Sequence, residues 1–201
     1  MRLAAVDLLD IDFNELCVGS RSRLDGSGES AFADVFLFDS LSSGAGYSST
    51  LSKGHNLEKL FGKTRGILTN CDCEDACFSC LKHYYNKQFH NQLDRHAALD
   101  LLDYAMNGTV RNHVSDDDAR DAFASLAEVI QDDAKATCSF ESDKMTFMLD
   151  GKETTLTCLP DMKPKSSMSA VNEYWQYEMK HNVPGIVETL IKEQSGDSTL
   201  F

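Results

Sequence analysis

CDCEDACFSC, residues 71–80, places four cysteines within ten residues with the spacing C-x-C-x3-C-x2-C. Thiolates are the soft ligands that hold zinc in a tetrahedral site, and a C-x2-C pair is the usual knuckle that brings two sulfurs to one ion. Four thiolates fill every coordination position, so such a site is structural and leaves no open place to activate water. The stretch therefore predicts a Zn²⁺ loop with four ligands: Cys71, Cys73, Cys77 and Cys80.

Two other interpretations of the cysteine cluster stay open at this point. Four cysteines also bind iron–sulfur clusters, and neighbouring thiols can be free or redox-active. The chain has seven cysteines, an odd number, and its first residues, MRLAAVDLLDID, carry acids where a secretory signal needs an apolar stretch. A disulfide framework is therefore not expected, which favours a metal site.

The composition is that of a globular protein with an acidic surface. The 201 residues are 42% hydrophobic and 25% charged, with only three prolines, which suits one domain or a core with a small appendage. The formal net charge is −13, so any contact with nucleic acid must be local, and adhesion to an anionic membrane is not expected. No run of 18 apolar residues exists, and we expect a soluble, cytoplasmic protein without a membrane span.

A basic and aromatic segment follows the cysteines directly. Residues 81–96 carry three cations against one acid, with three histidines and three aromatic residues. Such a segment can contact phosphates and bases even in an acidic protein. The alternative is that its histidines and tyrosines pack the zinc loop onto the following helix. The candidate nucleic-acid-binding residues are Lys82, His83, Asn86, Lys87, His90 and Arg95.

Upstream of the cluster, the sequence predicts a helix, a loop and a strand. Apolar residues from Leu3 to Leu16 recur at spacings of three and four, which indicates an amphipathic helix. Residues 19–30, GSRSRLDGSGES, have the glycine and serine content of a loop. Residues 32–39, FADVFLFD, read as a buried strand that ends at Asp39. The glycines of residues 40–47, SLSSGAGY, allow the backbone to approach a ligand or the next helix closely.

Downstream of the cluster, the patterns predict helices and a hairpin. One helix ends at Asn107-Gly108 and another begins after Ser115 with acids in its first turn. Residues 144–157 contain two strands around Asp150-Gly151, a dipeptide that favours a type I′ turn. From Ser169 the chain is predicted to be helical again. The predicted fold class is mixed α/β of the α+β type, helix-rich, with a four-cysteine zinc loop and a C-terminal β-hairpin plus helices.

The sequence carries no motif of a nucleotide motor. Gly62-Lys63-Thr64 resembles the end of a P-loop, but Leu57 stands where that motif needs a glycine, and no DEAH-like box appears. A metal-dependent nuclease or hydrolase would need converging carboxylates, for which Asp39, Asp94 and Asp100 are scattered candidates. We assign no catalytic residue and expect no activity from the chain alone.

Four segments of the chain together resemble the MrfA zinc-binding domain: the strand ending in Asp39, the loop SSGAGY, the cluster with its continuation CLKHYYN, and the helix HNQLDRHAALDLL. The resemblance runs from about Val35 to Met106. Within this family, the residue pattern of the cluster and the following helix most resembles that of the DrmB component of the DISARM antiphage defence system. By this resemblance the four cysteines are zinc ligands. The domain occurs at the C-terminus of DEAD/DEAH-type helicases of the mitomycin repair factor group, which implies a role beside a helicase.

The resemblance thus implies a non-catalytic zinc-binding accessory module of an ATP-dependent helicase system that acts on DNA, in repair or antiphage defence. We expect either a separately encoded subunit, whose partner is the ATPase, or the C-terminal piece of a longer helicase, whose partner is the missing N-terminal part. A nuclease subunit and a pure protein–protein adaptor are the alternatives. The predicted domains are a zinc-binding module, residues 1–110, and a C-terminal α/β extension packed on it, residues 111–201.

Overall fold

The computed structural model describes residues 1–24, 31–41, 43–133, 135–149, 151–166 and 172–195. Helices and two small sheets confirm the predicted mixed α/β class. The chain divides into two compact units, Met1–Tyr85 and Asn86–Phe201. The predicted domain limit at residue 110 was drawn from motifs rather than from packing, and it stays a prediction. Within the described ranges, no helix combines the length and the apolar character needed to cross a membrane.

Helices and a two-stranded ribbon form the first unit. The helices are α1 (Arg2–Leu9), α2 (Tyr47–Leu51) and α3 (Gly54–Thr69), and a short 3-10 helix spans Phe13–Glu15. Strands β1 (Leu16–Leu24) and β2 (Ala31–Asp39) pair antiparallel along their full length, from Leu16 opposite Asp39 to Leu24 opposite Ala31.

The core of the first unit lies where the three helices meet the base of the ribbon. The buried side chains there are Ala4 and Ala5 of α1, Leu16 of β1, Leu51 of α2 and Leu60 of α3. Two of these five are alanines, and partly buried apolar side chains of the same elements complete the cluster. A closed metal site would add a second stabilising element to this unit.

Two predictions for the N-terminal segment were wrong. The first helix does not reach Leu16, because α1 ends at Leu9 and Asp10 adopts a left-handed backbone conformation at its C-cap, with φ 52°. The segment predicted as a loop from residue 19 instead belongs to β1 as far as Leu24. The rest of that predicted loop, residues 25–30, and Ser42 of the glycine loop lie outside the described residues.

The strand predicted at residues 32–39 is confirmed, but the prediction that it is buried was wrong. Phe36 and Phe38 expose 46% and 47% of their surface, and Val35 exposes 57%. The described helices cover the base of the ribbon, so the remainder of its apolar surface faces solvent. This strand is therefore apolar without being a core strand.

The second unit packs helices onto a four-stranded sheet. After a 3-10 segment at Tyr84–Gln92, its helices are α4 (Arg95–Asn107), α5 (Asp116–Asp133), α6 (Gln176–His181) and α7 (Val183–Ser195). Its strands are β3 (Ser139–Glu141), β4 (Lys144–Leu149), β5 (Lys152–Leu159) and β6 (Glu173–Trp175). They lie in the order β3-β4-β5-β6, antiparallel except for the parallel pair β5–β6.

Several predictions for this unit are confirmed. Gly108 has φ 65° at the C-cap of α4, and the Ser115 hydroxyl accepts a hydrogen bond from the Asp118 backbone N–H at the start of α5. The hairpin pairs β4 with β5 in the expected register, and Gly151 has φ 79° in its turn. The apolar stripe of α5 is buried against the sheet and the last two helices; its members include Ala119, Phe123, Leu126 and Ile130.

The prediction of a helix from Ser169 was wrong for Glu173–Trp175, which form a strand. Residues 167–171 lie outside the described residues, and Glu173–Trp175 form strand β6 beside β5. The helical character begins at Gln176 in α6 and continues in α7. The aromatic residues at 174 and 175 favour the strand because they fit a pleated, half-buried surface.

Asp161 of the second unit provides a pH-dependent test of this packing. Its carboxylate accepts the Tyr177 backbone N–H at 3.0 Å, and burial, reinforced by nearby acids, raises its pKa to about 6. The ionised form therefore destabilises the folded unit above pH 6, and this effect fades as the pH falls toward the ordinary value of about 4. We expect Asp161→Asn to raise the free energy of unfolding by about 2 kcal/mol at pH 8 and by less at pH 5, in urea titrations. Equal gains at both pH values would contradict this.

Candidate metal centre

Helix α3 fixes the first cysteine of the cluster. Leu60 and Leu68 anchor the helix in the first unit, and the Thr64 hydroxyl donates to the Leu60 carbonyl at 2.7 Å. The helix ends at Thr69, two residues before Cys71. The position of this ligand is therefore set by a packed helix rather than by the loop alone.

A tight turn positions the last two cysteines. The backbone N–H groups of Cys80, Leu81 and Lys82 all donate to the Cys77 carbonyl, at 2.9 to 3.2 Å. The Ser79 N–H donates to the Cys77 sulfur at 3.3 Å, and the Cys77 N–H donates to the Cys80 sulfur at 3.2 Å. Backbone N–H groups that point at sulfurs stabilise thiolates, as in a zinc knuckle.

The four sulfurs converge on one point. Cys71 Sγ lies 3.4 Å from both Cys73 Sγ and Cys77 Sγ. Cys80 Sγ lies 3.6 Å from Cys73 Sγ and 3.8 Å from Cys77 Sγ, and all four sulfurs lie within 4.8 Å of one another. Zinc–sulfur bonds of about 2.3 Å in a tetrahedron place the sulfurs about 3.8 Å apart. The residues present therefore fit one tetrahedral ion.

The four cysteines can all ionise together only when a cation balances their charge. The Ser79 N–H, followed by the Cys71 thiol, lowers the pKa of Cys77 to about 6, whereas burial, followed by the neighbouring thiols, raises the pKa of Cys73 to about 12. Burial also raises the pKa of Cys80. Four thiolates so close together repel one another unless a metal ion balances their charge.

The spacing favours a single ion over an iron–sulfur cluster. A cluster places several irons and bridging sulfides among its four thiolates, so those thiolates must lie farther apart than around one ion. Three of the cysteines are half-buried and Cys80 is 8% exposed, which also suits a closed structural site. Among the described residues, no other group of three or more histidine, cysteine or acidic side chains converges in this way.

Comparison with known proteins agrees with this geometry. Residues 1–81 match the MrfA Zn-binding domain family. The predicted family resemblance is confirmed, but its extent differs: the match begins at residue 1 rather than at about Val35 and ends at residue 81 rather than at about Met106. The matched segment contains all four cysteines. The chain is also 35% identical over 119 residues to Druantia protein DruE of Escherichia coli, an antiphage defence protein. That match covers 58% of this chain and 6% of DruE. No solved structure matches the chain.

The six candidate nucleic-acid-binding residues follow the matched segment and fall into both units. Lys82 and His83 follow the cysteine turn in the first unit, and the His83 Nδ1 accepts the Tyr85 N–H at 3.2 Å. Asn86, Lys87, His90 and Arg95 belong to the second unit, where the Asn86 and His90 side chains hydrogen-bond at 3.0 Å. Nucleic-acid contact by these six residues stays a prediction.

The three carboxylates considered for a nuclease have other partners. Asp39 accepts the backbone N–H groups of Gly46, Tyr47 and Ser48 at 2.6, 3.2 and 2.8 Å. These bonds lower its pKa, with the Ser48 N–H contributing most. The glycine loop therefore approaches the Asp39 side chain, and Gly44 and Gly46 adopt φ values of 65° and 81° to do so.

The other two carboxylates lie in the second unit. Asp94 caps α4 by accepting the N–H groups of His96 and Ala97 at 2.7 and 3.1 Å. Asp100 is held by the Arg111 guanidinium at 2.6 and 2.8 Å. Capping and ion pairing account for both groups, and neither belongs to a converging acidic site among the described residues.

Sequence reasoning missed an aromatic cluster next to the cysteine turn. The Arg2 guanidinium lies 3.8 Å from the centroid of the Phe13 ring and donates two hydrogen bonds to the Phe13 carbonyl, at 2.7 and 3.1 Å. The Phe13 and His83 rings are 5.2 Å apart. About seventy residues separate Phe13 from His83 in the chain, so no local pattern could have indicated this contact.

Metal binding by the matched segment, residues 1–81, can be tested directly. We expect about one zinc per chain in the purified protein. After chelation, Co²⁺ should bind at the same site and give the visible absorption bands of a tetrahedral cobalt thiolate, because all four ligands are sulfur. Zn²⁺ should abolish these bands by displacing the cobalt. A brown protein that contains iron and sulfide would instead identify an iron–sulfur cluster.

Proposed function

We propose that this chain is a non-catalytic, zinc-stabilised accessory module of an ATP-dependent helicase system that acts on DNA in antiphage defence or repair in the cytoplasm. The observation that carries the proposal is the convergence of four cysteine sulfurs within 4.8 Å in a segment that matches the MrfA Zn-binding domain. The similarity to DruE supports the defence setting.

In this proposal the zinc ion fixes the 71–80 loop, and the loop orients the segment that follows it. Lys82 lies directly in the turn that holds Cys77, since its N–H donates to the Cys77 carbonyl at 2.9 Å. A metal that immobilises this turn therefore immobilises the start of the basic and aromatic segment. In this proposal the basic and aromatic segment contacts DNA or the helicase ATPase.

Purification of the tagged chain from its native host, with mass spectrometry and metal analysis of the same sample, tests the partner. We expect a helicase-type ATPase to co-purify with a chain that carries about one zinc. The Cys77→Ser/Cys80→Ser variant serves as the control that should lose the partner. Recovery of zinc-loaded chain with no ATPase, from a host that encodes one beside it, would overturn the helicase part of the proposal.

Fluorescence anisotropy with labelled duplex and single-stranded DNA tests the DNA contact. We expect Lys82→Ala/Lys87→Ala to weaken binding and to reduce the slope of log affinity against log salt by about one to two. The matched control is Lys144→Ala/Lys152→Ala, which removes the same charge from two exposed lysines of the hairpin. A wild-type chain that binds its ATPase partner but no DNA at low salt would indicate a protein–protein adaptor.

A further inference from the structure

The ribbon of β1 and β2 carries an apolar face that the described residues leave open to solvent. At its base, Leu16 is fully buried and Leu37 packs against the helical core. Phe36 and Phe38 are nearly half exposed, although phenylalanine is usually buried. Two exposed rings on one short strand indicate a surface with a binding role rather than a scatter of single apolar residues.

The register places both rings on the same face. Because side chains alternate across a strand, the pairs Cys17–Phe38, Gly19–Phe36 and Arg21–Asp34 share one side of the ribbon. We call this side the phenylalanine face. The Phe38 ring lies 3.6 Å from where a Cβ of Gly19 would be, so Gly19 contributes no side chain that would shield the rings. Flat aromatic surface is therefore presented to solvent.

Cations flank the two rings. Arg21 and Arg23 both pair with Asp34, at 2.9 and 3.2 Å, while 68% and 54% of their side chains stay exposed. Both guanidinium groups lie on the phenylalanine face, on a chain whose formal charge is −13. The Arg21 guanidinium also lies 5.8 Å from the centre of the Phe36 ring. Two exposed cationic side chains thus lie on the same face as the exposed rings.

We propose that the phenylalanine face binds single-stranded nucleic acid, with bases stacking on Phe36 and Phe38 and phosphates beside Arg21 and Arg23. Aromatic platforms flanked by cations are the general solution for single strands, because every unpaired base has a π-face and every nucleotide a phosphate. A purely apolar protein partner would gain nothing from the two guanidiniums. This proposal rests on the proposed function, in which the module works at DNA, and it names a second contact separate from Lys82 and Lys87.

The test is fluorescence anisotropy of a labelled 20-nucleotide oligothymidine with the zinc-loaded full chain. We expect Phe36→Ala/Phe38→Ala to weaken binding by about tenfold or more, given the usual contribution of base–aromatic stacking. Arg21→Gln/Arg23→Gln should weaken binding and lower the salt slope by about one to two. The matched control, Val18→Ala/Val35→Ala, removes exposed apolar groups from the opposite face and should leave the affinity unchanged. Circular dichroism and zinc content confirm that each variant is folded.

The outcomes separate this inference from the proposed function. If the phenylalanine variant binds like the wild type while Lys82→Ala/Lys87→Ala binds weakly, the DNA contact by the two lysines is supported. The proposal that the phenylalanine face binds nucleic acid is then wrong. If the wild-type chain does not bind the oligonucleotide at 50 mM salt but does bind duplex DNA, this inference is also overturned. If the valine variant loses as much affinity as the phenylalanine variant, the ribbon is a general apolar contact for protein and not a stacking platform.

Discussion

Replacing Cys77 and Cys80 by serine is expected to abolish zinc binding and unfold the first unit. A serine hydroxyl is not ionised at neutral pH and is a poor zinc ligand, so only two thiolates would remain. The fully buried members of the helical core of this unit are two alanines and three leucines, and the cysteine segment lacks strands and long helices of its own. Zinc binding to such a site contributes on the order of 10 kcal/mol to folding. We expect the melting transition of the first unit to disappear or to fall by more than about 10 °C.

The measurement is differential scanning calorimetry with metal analysis of the same samples. Cys138→Ser is the matched control, because Cys138 is also half-buried but lies outside the cluster, in the second unit. Treatment of the wild-type chain with a strong chelator should reproduce the effect of the double variant. Unchanged melting of the double variant, with its partner still bound, would show that the metal does not hold this unit together.

The convergence of the four cysteines was predictable because they are close together in the sequence. All four cysteines fall within ten residues, so their spacing alone limits where the sulfurs can meet. Helix α5 and the hairpin around Gly151 were predictable for the same reason: a capped amphipathic pattern and a turn dipeptide specify them without distant partners. Local rules therefore account for the zinc loop and for much of the second unit.

Strand β1 of the ribbon was not predictable because its own composition does not favour a strand. Residues 16–24 carry glycine, serine and arginine, which are typical of a loop, and they become a strand only because β2 pairs with them. The same pairing leaves Phe36 exposed, although an apolar run usually indicates a core strand. Strand β6 is a similar case, since its parallel pairing with β5 joins segments with no common local signal.

The role of Asp39 shows how a correct observation can support several interpretations. A carboxylate after a strand, followed by glycines, suits a catalytic site as well as it suits a loop cap. The three backbone N–H groups that point at its oxygens identify the cap. The sequence could not distinguish a catalytic carboxylate from a loop cap, because the difference depends on the geometry of the loop. A site prediction from isolated carboxylates is therefore weaker than one from four clustered thiols.

Replacing Arg111 by alanine is expected to destabilise the second unit strongly. Its guanidinium donates to Asp100 of α4 at 2.6 and 2.8 Å and to Gln176 of α6 at 2.9 Å, and it lies 3.9 Å from Asp118 of α5. It thus connects three helices through two groups that are less than 10% exposed. Without it, the Asp100 carboxylate and the Gln176 amide oxygen lose their partner, which costs about 3 kcal/mol.

Urea and thermal unfolding of the second unit measure this loss, with Arg120→Ala as the control. Arg120 is exposed on helix α5, so its removal changes the net charge equally without leaving a buried acid. Burial already raises the pKa of Asp100 while Arg111 opposes the rise, so in Arg111→Ala the carboxyl should take up a proton more readily. The destabilisation should therefore be smaller at pH 5 than at pH 8, and Asp100→Asn should restore part of the stability in the Arg111→Ala background. If Arg111→Ala and Arg120→Ala melt alike at pH 8, the three helices are held by apolar packing, and the buried ion pair contributes nothing measurable.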